Sequence, residues 1–420
     1  LLGPGSVYDD LLLPRSLEDI ELGLRLWKQG VRFLYQPKAV SYHLPNKRLG
    51  EILWQDARLD GASLFRLGRK NRDYRAGSPL AQLGLGAGWK RWARQVATRW
   101  PLLATLLFQP VLEAANMLNW IPPVRRHGAR LMEAVRQTAM LQGALAEAGA
   151  WKTLQAEYGV QLPVLLYHNV GPRRPGTHPA LTISPEEFEK QIRWLKQRGY
   201  VGIRPSDWLA WHDKGTPLPE KPVMLTFDDA YGDLVEYAFP VLERHQFGAA
   251  VFVVTAQVGK DNAWDRAQGW GALPIMTREQ IQEWATRGIE FGSHSRMHPD
   301  LTTLPAQQLQ EEIAESAKEL AEILGSPAVS FAYPYGEYDE KALAATRSSF
   351  QLAFTCEEGL NNLCGDLYRL RRTMVLPGES RAALAWRVRW GYNPLARLRE
   401  RLRLRTRLRQ GLAMIRGAKA

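Results

Sequence analysis

Two carboxylate and two imidazole side chains stand at positions from which they could hold a metal ion. Asp228 and Asp229 directly follow one apolar run of the sequence, and His294 and His298 follow another. One carboxylate and two imidazoles leave coordination positions open on a divalent ion, as catalysis by Zn²⁺ or another first-row metal requires. The second carboxylate is then free to act as a base. These residue types therefore predict a catalytic metal centre.

Each half of this pattern also has an ordinary structural explanation. An Asp pair after a strand often caps a turn or a helix, and histidines four residues apart occur on solvated helix faces. Pro299 disfavours a helix at His298, and Ser295 stands where a helical metalloprotease motif has Glu. The histidine pair is therefore predicted on a loop. The two motifs support each other because both are placed at the ends of predicted strands.

The elements that would position these side chains are short apolar runs that alternate with amphipathic segments. The runs are PVLLYHNV (163–170), PVMLTF (222–227), AAVFVV (249–254), IEFGSH (289–294), AVSFAYP (328–334), FQLAFT (350–355) and YRLRRTMV (368–375). Such strands, separated by helices, predict a parallel sheet buried on both faces. Seven of them predict an α/β fold with a distorted (β/α)7-type barrel, whose active site lies at the carboxyl ends of the strands.

Capping signals and apolar periodicity predict the helices between these strands. Ser184 as the N-cap, Glu187 in a capping box and Gly199 as the stop define one helix. Amphipathic patterns predict two more at 278–287 and 305–324. These helices would cover the outside of the barrel.

Composition excludes several other classes of protein. The 420 residues are 45% hydrophobic and 23% charged, which is enough for two globular domains and rules out wholesale disorder. Two isolated cysteines, Cys356 and Cys364, cannot form a disulfide framework or a thiolate zinc site. Any metal must therefore use oxygen and imidazole ligands. The most apolar stretch, 101–121, is interrupted by polar residues and is too short in apolar length for a membrane span.

The net charge of +12 comes mainly from the C-terminal segment 397–419, which holds nine basic residues and one acidic residue. Its arginines lack interleaved aromatic residues, so a nucleic-acid partner is not expected. Leu404, Leu408 and Leu412 share one face of a possible helix, which would suit peripheral contact with an anionic membrane surface. The alternative is a solvated basic extension.

Three motifs resemble those of the polysaccharide deacetylases, also called NodB-homology domains or family 4 carbohydrate esterases. They are TFDDAY (226–231), HSRMH (294–298) and FAYPYG (331–336), in the family's order. The resemblance covers about residues 160–378. It implies a deacetylase barrel that hydrolyses N-acetyl groups and releases acetate.

The resemblance also implies roles for individual residues. It makes Asp229, His294 and His298 the metal ligands and Asp228 the general base, while the backbone N–H of Tyr335 would contribute to an oxyanion hole. The implied cofactor is a divalent metal, for which we expect zinc, with cobalt, nickel or manganese as alternatives.

Two positions depart from the family pattern. Ala332 stands where the family often has an arginine that pairs with the base, and no histidine follows His298 to serve as the late general acid. Arg372, in the last predicted strand, is a candidate to orient Asp228, and His168, at the end of the first, is a candidate proton donor. A strand-end Tyr-His is also seen in a subgroup that acts on poly-N-acetylglucosamine-like polymers. The alternative for His168 is a histidine that is packed and hydrogen-bonded without a catalytic role, and the alternative for Arg372 is a solvated charge.

Aromatic side chains near the predicted site are candidates for binding sugar rings. Trp264 and Trp270 lie between the Asp pair and the His pair in sequence, and Tyr333 follows a strand end. Stacking on a sugar is the functional interpretation, and packing in the core or a loop is the alternative.

The N-terminal segment resembles the closing part of a family 2 glycosyltransferase domain. There a Glu-Asp pair precedes a Leu-x-x-Arg-Leu helix, and a histidine follows. The resemblance implies that Asp19 is the base and that His43 binds the metal of the nucleotide sugar. Because the nucleotide-binding half would precede Leu1, we expect the chain to be the later part of a longer bifunctional protein.

These predictions define four segments. They are a glycosyltransferase remnant (1–120), a helical linker (121–160), a deacetylase barrel (161–380) and a basic amphipathic tail (381–420). The expected substrate is an N-acetylated polysaccharide or a lipid-linked glycan, and the expected location is the cytoplasm or the cytoplasmic face of the membrane, with an extracellular location as the alternative. Two other functions stay open: a glycan-binding scaffold without turnover, and an esterase that removes O-acetyl groups.

Overall fold

The computed structural model describes residues 18–32, 51–82, 125–174, 176–266 and 269–398. The chain divides into two compact units. The first holds Leu1–Val160, His212–Gly215 and Asn362–Cys364, and the second holds Gln161–Trp211, Thr216–Asn361 and Gly365–Ala420. Among the described helices, none has the length and apolar character needed to cross a membrane.

The first unit is helical in its described part. Its helices are α1 (Glu18–Lys28), α2 (Ala57–Lys70), α3 (Arg72–Gly77), α4 (Pro79–Gln82), α5 (Arg125–Ala148) and α6 (Trp151–Tyr158). Helices α2 and α5 approach closely at two glycines, because a Cβ atom on Gly61 would lie 1.9 Å from the carbonyl oxygen of Met140, and one on Gly143 would lie 1.8 Å from that of Arg58. The absent side chains let the two backbones touch.

The second unit is an α/β fold. Its strands are β1 (Val164–Tyr167), β2 (Asn169–Val170), β3 (Thr182–Ile183), β4 (Val201–Ile203), β5 (Pro222–Phe227), β6 (Ala249–Val253), β7 (Ile289–Ser293), β8 (Ser330–Ala332), β9 (Leu352–Phe354) and β10 (Thr373–Met374). Its principal helices are α7 (Pro185–Gln197), α8 (Pro205–Leu209), α9 (Asp233–Tyr237), α10 (Phe239–His245), α11 (Ala263–Arg266), α12 (Arg278–Ala285), α13 (Ala306–Leu324), α14 (Glu340–Ser349) and α15 (Arg381–Trp390).

The main sheet is parallel and runs in the order β10-β1-β5-β6-β7-β8-β9. Its two ends meet through a parallel bridge between Phe354 and Leu370, just before β10, so the sheet curls towards a closed barrel. The amide of Leu370 donates to the carbonyl of Ala353, and the amide of Thr355 donates back to Leu370. The predicted seven-stranded α/β barrel is confirmed by this curled sheet.

Three short strands were not predicted. Strand β4 pairs with the first half of β5, and β2 pairs with β3 in a separate two-stranded sheet. The apolar run 163–170 is therefore two strands, interrupted at His168. Strand β4 has only three residues, one of which is Gly202, so it lacks the longer continuous apolar signal by which the other strands were predicted.

The predicted helices are present with small differences at their ends. The hydroxyl of Ser184 accepts from the amide of Glu187 at the start of α7. Thr277 and Gln280 form a capping box at α12, and α13 ends at Gly325, whose φ of 73° suits the left-handed cap. Buried side chains of α7, α10 and α12 pack in the same core as strands β5, β6 and β7. The sheet is thus covered on its outer face, and its strand ends are held in fixed positions.

Candidate active site

Strands β5 and β7 bring the predicted metal-site residues to one rim of the barrel. Asp228 and Asp229 follow β5, while His294 follows β7, and β6 lies between these two strands in the sheet. The amide of Asp228 donates to the carbonyl of Tyr167 at 3.0 Å, and the amide of His294 donates to that of Val253 at 2.8 Å. The ladder hydrogen bonds therefore continue one residue beyond the strands and fix the backbone on which the site is built.

The backbone of this rim is strained. In the described part of the chain six non-glycine residues have positive φ; one of them, Gln246, ends helix α10. The other five belong to the three motifs and are Asp229, Ala230, Ser295, His298 and Tyr335. Left-handed conformations cost non-glycine residues free energy and persist where the surrounding structure enforces them. The surrounding barrel therefore holds these loops in conformations that they would not adopt alone.

Asp229, His294 and His298 converge on one point. Each offers a ligand atom, and these atoms all lie within 4.8 Å of one another. The Oδ1 atom of Asp229 is 3.5 Å from Nε2 of His298 and 3.8 Å from Nε2 of His294. All three side chains are buried. The geometry thus matches the ligand set that the resemblance implies.

The donor chemistry of the three side chains fits a cation. The Oδ1 atom of Asp229 is buried and has no hydrogen-bond partner among the described residues. Nδ1 of His294 lies 2.7 Å from the carbonyl oxygen of Ala332, and must therefore carry the proton. This leaves Nε2 of His294 as a lone-pair donor on the side of Asp229. A carboxylate oxygen without a donor beside a fixed imidazole lone pair suits a positive ion.

Burial and neighbouring charges shift the pKa values of these groups. Burial lowers the pKa of His294, and burial and then the neighbouring His294 lower that of His298 well below its usual value. Burial and the charge of Asp228 raise the pKa of Asp229. The imidazoles are therefore kept in the neutral form that binds metals. A cation among these side chains would favour the ionised form of Asp229.

Asp228 is held by Arg372. The guanidinium donates from Nη1 to Oδ1 at 2.6 Å and from Nη2 to Oδ2 at 2.9 Å. Burial by itself would raise the pKa of Asp228, but the charge and the hydrogen bonds of Arg372 outweigh it and lower this pKa to about 2. Asp228 is therefore an ionised, oriented carboxylate, with its Oδ2 atom 3.8 Å from Nε2 of His294.

Arg372 is itself completely buried and fixed on several sides. Its Nε donates to the carbonyl of Thr355 at 2.9 Å, and its guanidinium lies 5.6 and 5.9 Å from the ring centres of Phe252 and Phe354. The alternative of a solvated arginine is wrong for this residue, because its side chain has 0% exposure. Arg372 thus pairs with Asp228, as the resemblance implies for an arginine at the position that here has Ala332.

His168 lies near these charged groups at the break between β1 and β2. Burial lowers its pKa to about 4, and the charges of Asp228, Arg372 and His294 act on it. Its Nδ1 atom is buried without a hydrogen-bond partner among the described residues. The alternative of a packed histidine with satisfied hydrogen bonds therefore does not describe this atom. Its role as proton donor stays a prediction.

Two aromatic rings flank His298. The ring of Trp264 stacks on it, with centroids 4.8 Å apart and planes at 25°, and the ring of Tyr335 meets it edge-on at 4.6 Å. The Tyr335 side chain is 48% exposed. Trp264 and Tyr335 are therefore at the site, where a substrate could reach the Tyr335 ring.

The other two predicted aromatic residues make different contacts. Trp270 packs edge-on against His178, with ring centroids 4.6 Å apart, and its amide donates to the carbonyl of Asp265 at 3.1 Å, so its role in binding substrate stays a prediction. The Tyr333 side chain is completely buried, packs against Phe331 and donates from its hydroxyl to the carbonyl of Tyr368. The prediction that Tyr333 binds substrate is therefore wrong, since its ring belongs to the core.

Two residues next to the site, Asn262 and Asp265, were missed from the sequence. The hydroxyl of Tyr231 donates to Oδ2 of Asp265 at 2.8 Å, and Nδ2 of Asn262 donates to the same oxygen at 2.9 Å. Tyr231 belongs to the TFDDAY motif, which was a usable signal. Asp265 gave no usable signal, because nothing in the sequence links it to Tyr231, which is 34 positions earlier.

The residues of the predicted glycosyltransferase segment are only partly described. Asp19 lies in the first turn of α1, and its Oδ1 atom accepts from the amide of Ile20 at 2.8 Å. His43 lies outside the described residues, as do the stretch 101–121 and the basic tail from residue 399 onwards.

Comparison with known proteins identifies the family. The profile described as "Polysaccharide deacetylase" matches residues 215–350. The chain is also 30% identical over 238 residues to the putative polysaccharide deacetylase YxkH of Bacillus subtilis, a match that covers 56% of this chain and 78% of the relative. The chain therefore belongs to the polysaccharide deacetylase family.

Further relatives carry more specific names. The poly-beta-1,6-N-acetyl-D-glucosamine N-deacetylase of Staphylococcus epidermidis is 27% identical over 207 residues, with 46% of this chain and 68% of the relative covered. Among solved structures, the deacetylase PplD of Streptococcus pyogenes in complex with acetate is 27% identical. That match covers 54% of this chain and 97% of PplD, with a TM-score of 0.48.

Proposed function

We propose that the barrel is a metal-dependent N-deacetylase that removes acetyl groups from N-acetylhexosamine units of a polysaccharide or a lipid-linked glycan. The observation that carries this proposal is the convergence of Asp229, His294 and His298 beside a carboxylate that is held by a buried arginine. The printed name of the Staphylococcus epidermidis relative supports an amide of N-acetylglucosamine as the bond that is cleaved.

The proposed cofactor is a divalent ion held by Asp229, His294 and His298. Zinc is our first choice because two imidazoles and one carboxylate suit it, with cobalt, nickel or manganese as alternatives. Such an ion supplies Lewis-acid polarisation of the acetamide carbonyl when it is bound.

The protein's own groups perform the proton transfers of the proposed reaction. Asp228 takes a proton from the attacking water, and Arg372 keeps this carboxylate ionised and aimed. His168 is neutral in the resting site because burial lowers its pKa to about 4, so it takes up the proton that Asp228 has removed from the water and delivers it to the leaving nitrogen as the carbon–nitrogen bond breaks. Both side chains thereby return to their starting protonation states. The backbone N–H of Tyr335 stabilises the negative charge on the carbonyl oxygen. One water is consumed, and the products are acetate and a free amine.

The test is acetate release from N-acetylglucosamine oligomers by the full chain. We expect activity to disappear with a chelator, to return when one of the four metals is added, and to fall by two or more orders of magnitude in Asp228→Asn. Glu283→Gln, on helix α12 with a side chain that is 57% exposed, is the control and should keep full activity. Activity that survives both metal removal and Asp228→Asn would refute the proposal. Acetate release from an O-acetylated sugar, measured beside that from the N-acetylated oligomers, distinguishes the esterase alternative. Binding of oligosaccharide without release of acetate from either substrate would support the scaffold alternative.

We further propose that residues 1–120 are the end of a glycosyltransferase domain with Asp19 as its base. The helix Glu18–Lys28, which begins at the Glu-Asp pair, supports this assignment. A longer protein containing this chain should transfer sugar from a nucleotide donor, and Asp19→Asn should abolish that transfer without changing acetate release. Sugar transfer unaffected by Asp19→Asn would contradict the assignment.

The location follows from the same proposal, because nucleotide sugars would place the enzyme in the cytoplasm or at the cytoplasmic face of the membrane. The basic segment 397–419 supports peripheral contact through its charge. Sedimentation with vesicles that contain phosphatidylglycerol, compared with neutral vesicles, tests this contact. Equal recovery with both kinds of vesicle would contradict it.

A further inference from the structure

The site contains more buried negative charge than its described cations balance. Asp228, Asp229 and Asp265 are all buried. Asp228 is neutralised by Arg372. For Asp229 and Asp265, no lysine or arginine of the described residues forms an ion pair. Buried carboxylates are costly unless they are paired or near a cation, so the two remaining charges require an explanation.

Tyr231 connects these two carboxylates. Its side chain is 1% exposed, and its hydroxyl donates to Oδ2 of Asp265 at 2.8 Å. Tyr231 ends the turn that carries Asp229, in which Asp229 and Ala230 both have positive φ. Because the single proton of the tyrosine hydroxyl goes to Asp265, this bond fixes the Tyr231 side chain and, with it, the turn. Asp265 thereby controls the orientation of Asp229.

We propose that Asp265 is a positioning residue of the metal site, which orients Asp229 through Tyr231 and supplies the second negative charge that balances a divalent cation. This inference rests on the proposed function. Asp229 and Asp265 together carry two negative charges, and the imidazoles of His294 and His298 are neutral ligands. Charge balance then favours a doubly charged ion over a singly charged one.

The segment that carries Asp265 is built to hold its position. Asn262 donates to Oδ2 of Asp265. The Oδ1 atom of Asn262 also accepts from the amide of Leu273 at 2.6 Å, and this bond joins the two ends of the segment 262–273. The preceding residue, Trp264, stacks on the ligand His298. Two consecutive residues of helix α11 therefore act on two ligands that come from different strands. Outer contacts of this kind commonly set the orientation and affinity of a metal site.

The test is the affinity of the metal-stripped full chain for Zn²⁺ and Co²⁺, measured by competition with a chromogenic chelator. Asp265→Asn keeps the size of the side chain and removes its charge. We expect it to weaken divalent binding by about 10- to 100-fold, the usual loss for an outer-sphere partner. Tyr231→Phe should act in the same direction, and the double variant should lose less than the product of the two single effects, because both interrupt one connection.

Asp261→Asn is the matched control. Asp261 lies on the same segment, is paired with Arg266 at 3.1 Å and does not contact the ligands in any described interaction. The metal affinity of the Asp261→Asn variant should therefore stay within twofold of that of the parent protein. The visible spectrum of the Co²⁺ form gives a second measurement, since reorientation of Asp229 changes the ligand field. We expect a changed spectrum for Asp265→Asn and an unchanged one for Asp261→Asn.

The outcomes separate this inference from the function on which it rests. If the parent chain binds neither ion, the proposed function fails. If the parent binds and Asp265→Asn matches Asp261→Asn in affinity and spectrum, the role of Asp265 is overturned and the proposed function stands. Circular dichroism of the metal-free variants shows whether they fold. Should Asp265→Asn be unfolded, the result for Tyr231→Phe decides, because that variant keeps the bond between Asn262 and Asp265.

Discussion

Removal of the Arg372 side chain is the perturbation whose effect can be followed furthest from the structure. Arg372→Ala leaves Asp228 without either of its two guanidinium bonds and without a countercharge, in a place where the carboxylate is 4% exposed. The fall in the pKa of Asp228 from 3.8 to about 2 corresponds to about 2 kcal/mol in favour of the ionised form, since each tenfold change in proton affinity is worth about 1.4 kcal/mol.

This value is a net one, because the cost of burying the Asp228 charge has already been subtracted from the stabilisation by Arg372. The stability lost on removing Arg372 should therefore be larger. Breaking a buried pair by deleting one partner typically costs about 3–5 kcal/mol. We expect Arg372→Ala to lower the free energy of unfolding by this amount at neutral pH, measured by urea denaturation followed by circular dichroism. Acetate release should fall by about 100-fold or more, because the base loses its orientation.

The double variant Arg372→Ala/Asp228→Asn shows whether an unpaired charge is the cause. Replacing the carboxylate by an amide removes the uncompensated charge, so stability should recover in part while activity stays low. If Arg372→Ala costs less than about 1 kcal/mol, or if the added Asp228→Asn lowers stability further, the electrostatic explanation is refuted and Arg372 acts chiefly through packing.

Three further changes test other contacts. His168→Gln should lower kcat for acetate release by about 100-fold or more with little change in KM, and equal rates for variant and parent would exclude a proton donor at this position. Trp264→Ala removes the ring stacked on His298 and should weaken metal binding by about 10-fold in the chelator competition, whereas Trp270→Ala should leave it unchanged. Gly61→Ala places a methyl group 1.9 Å from the carbonyl oxygen of Met140. We expect this clash to cost about 1–3 kcal/mol of stability and to lower the thermal unfolding midpoint of the first unit. An unchanged midpoint would show that α2 and α5 can move apart without cost.

The sequence predicted the barrel because its strands are buried on both faces and therefore read as unbroken apolar runs. Strand β4 escaped this criterion, since it has only three residues and Gly202 offers no side chain to the pattern. The end of the first strand at His168 was predicted, but β2 was not recognised as a separate strand, because Asn169 and Val170 were assigned to the same run. Local patterns thus identify where strands are, and the surrounding packing decides how far each one extends.

The candidate site was predictable where residues lie within a few positions of a strand end and unpredictable where they arrive on loops that are distant in sequence. Asp228, Asp229 and His294 are fixed by ladder hydrogen bonds or by their immediate neighbours, so their meeting could be expected from the order of strands. Tyr333 also follows a strand, but its ring turns into the core, and nothing in the sequence indicates the side to which a residue just beyond a strand will turn. Asp265 reaches the site on a loop whose path depends on tertiary contacts.

The pairing of Asp228 with Arg372 joins residues 144 positions apart. During synthesis Asp228 emerges from the ribosome long before Arg372, so this pair can form only after the final strand of the barrel is made. A minimal enzyme trimmed to residues 215–350, the part that the family profile matches, would lack this arginine and His168 alike. The smallest fragment worth engineering must therefore begin before the first barrel strand and continue through the last.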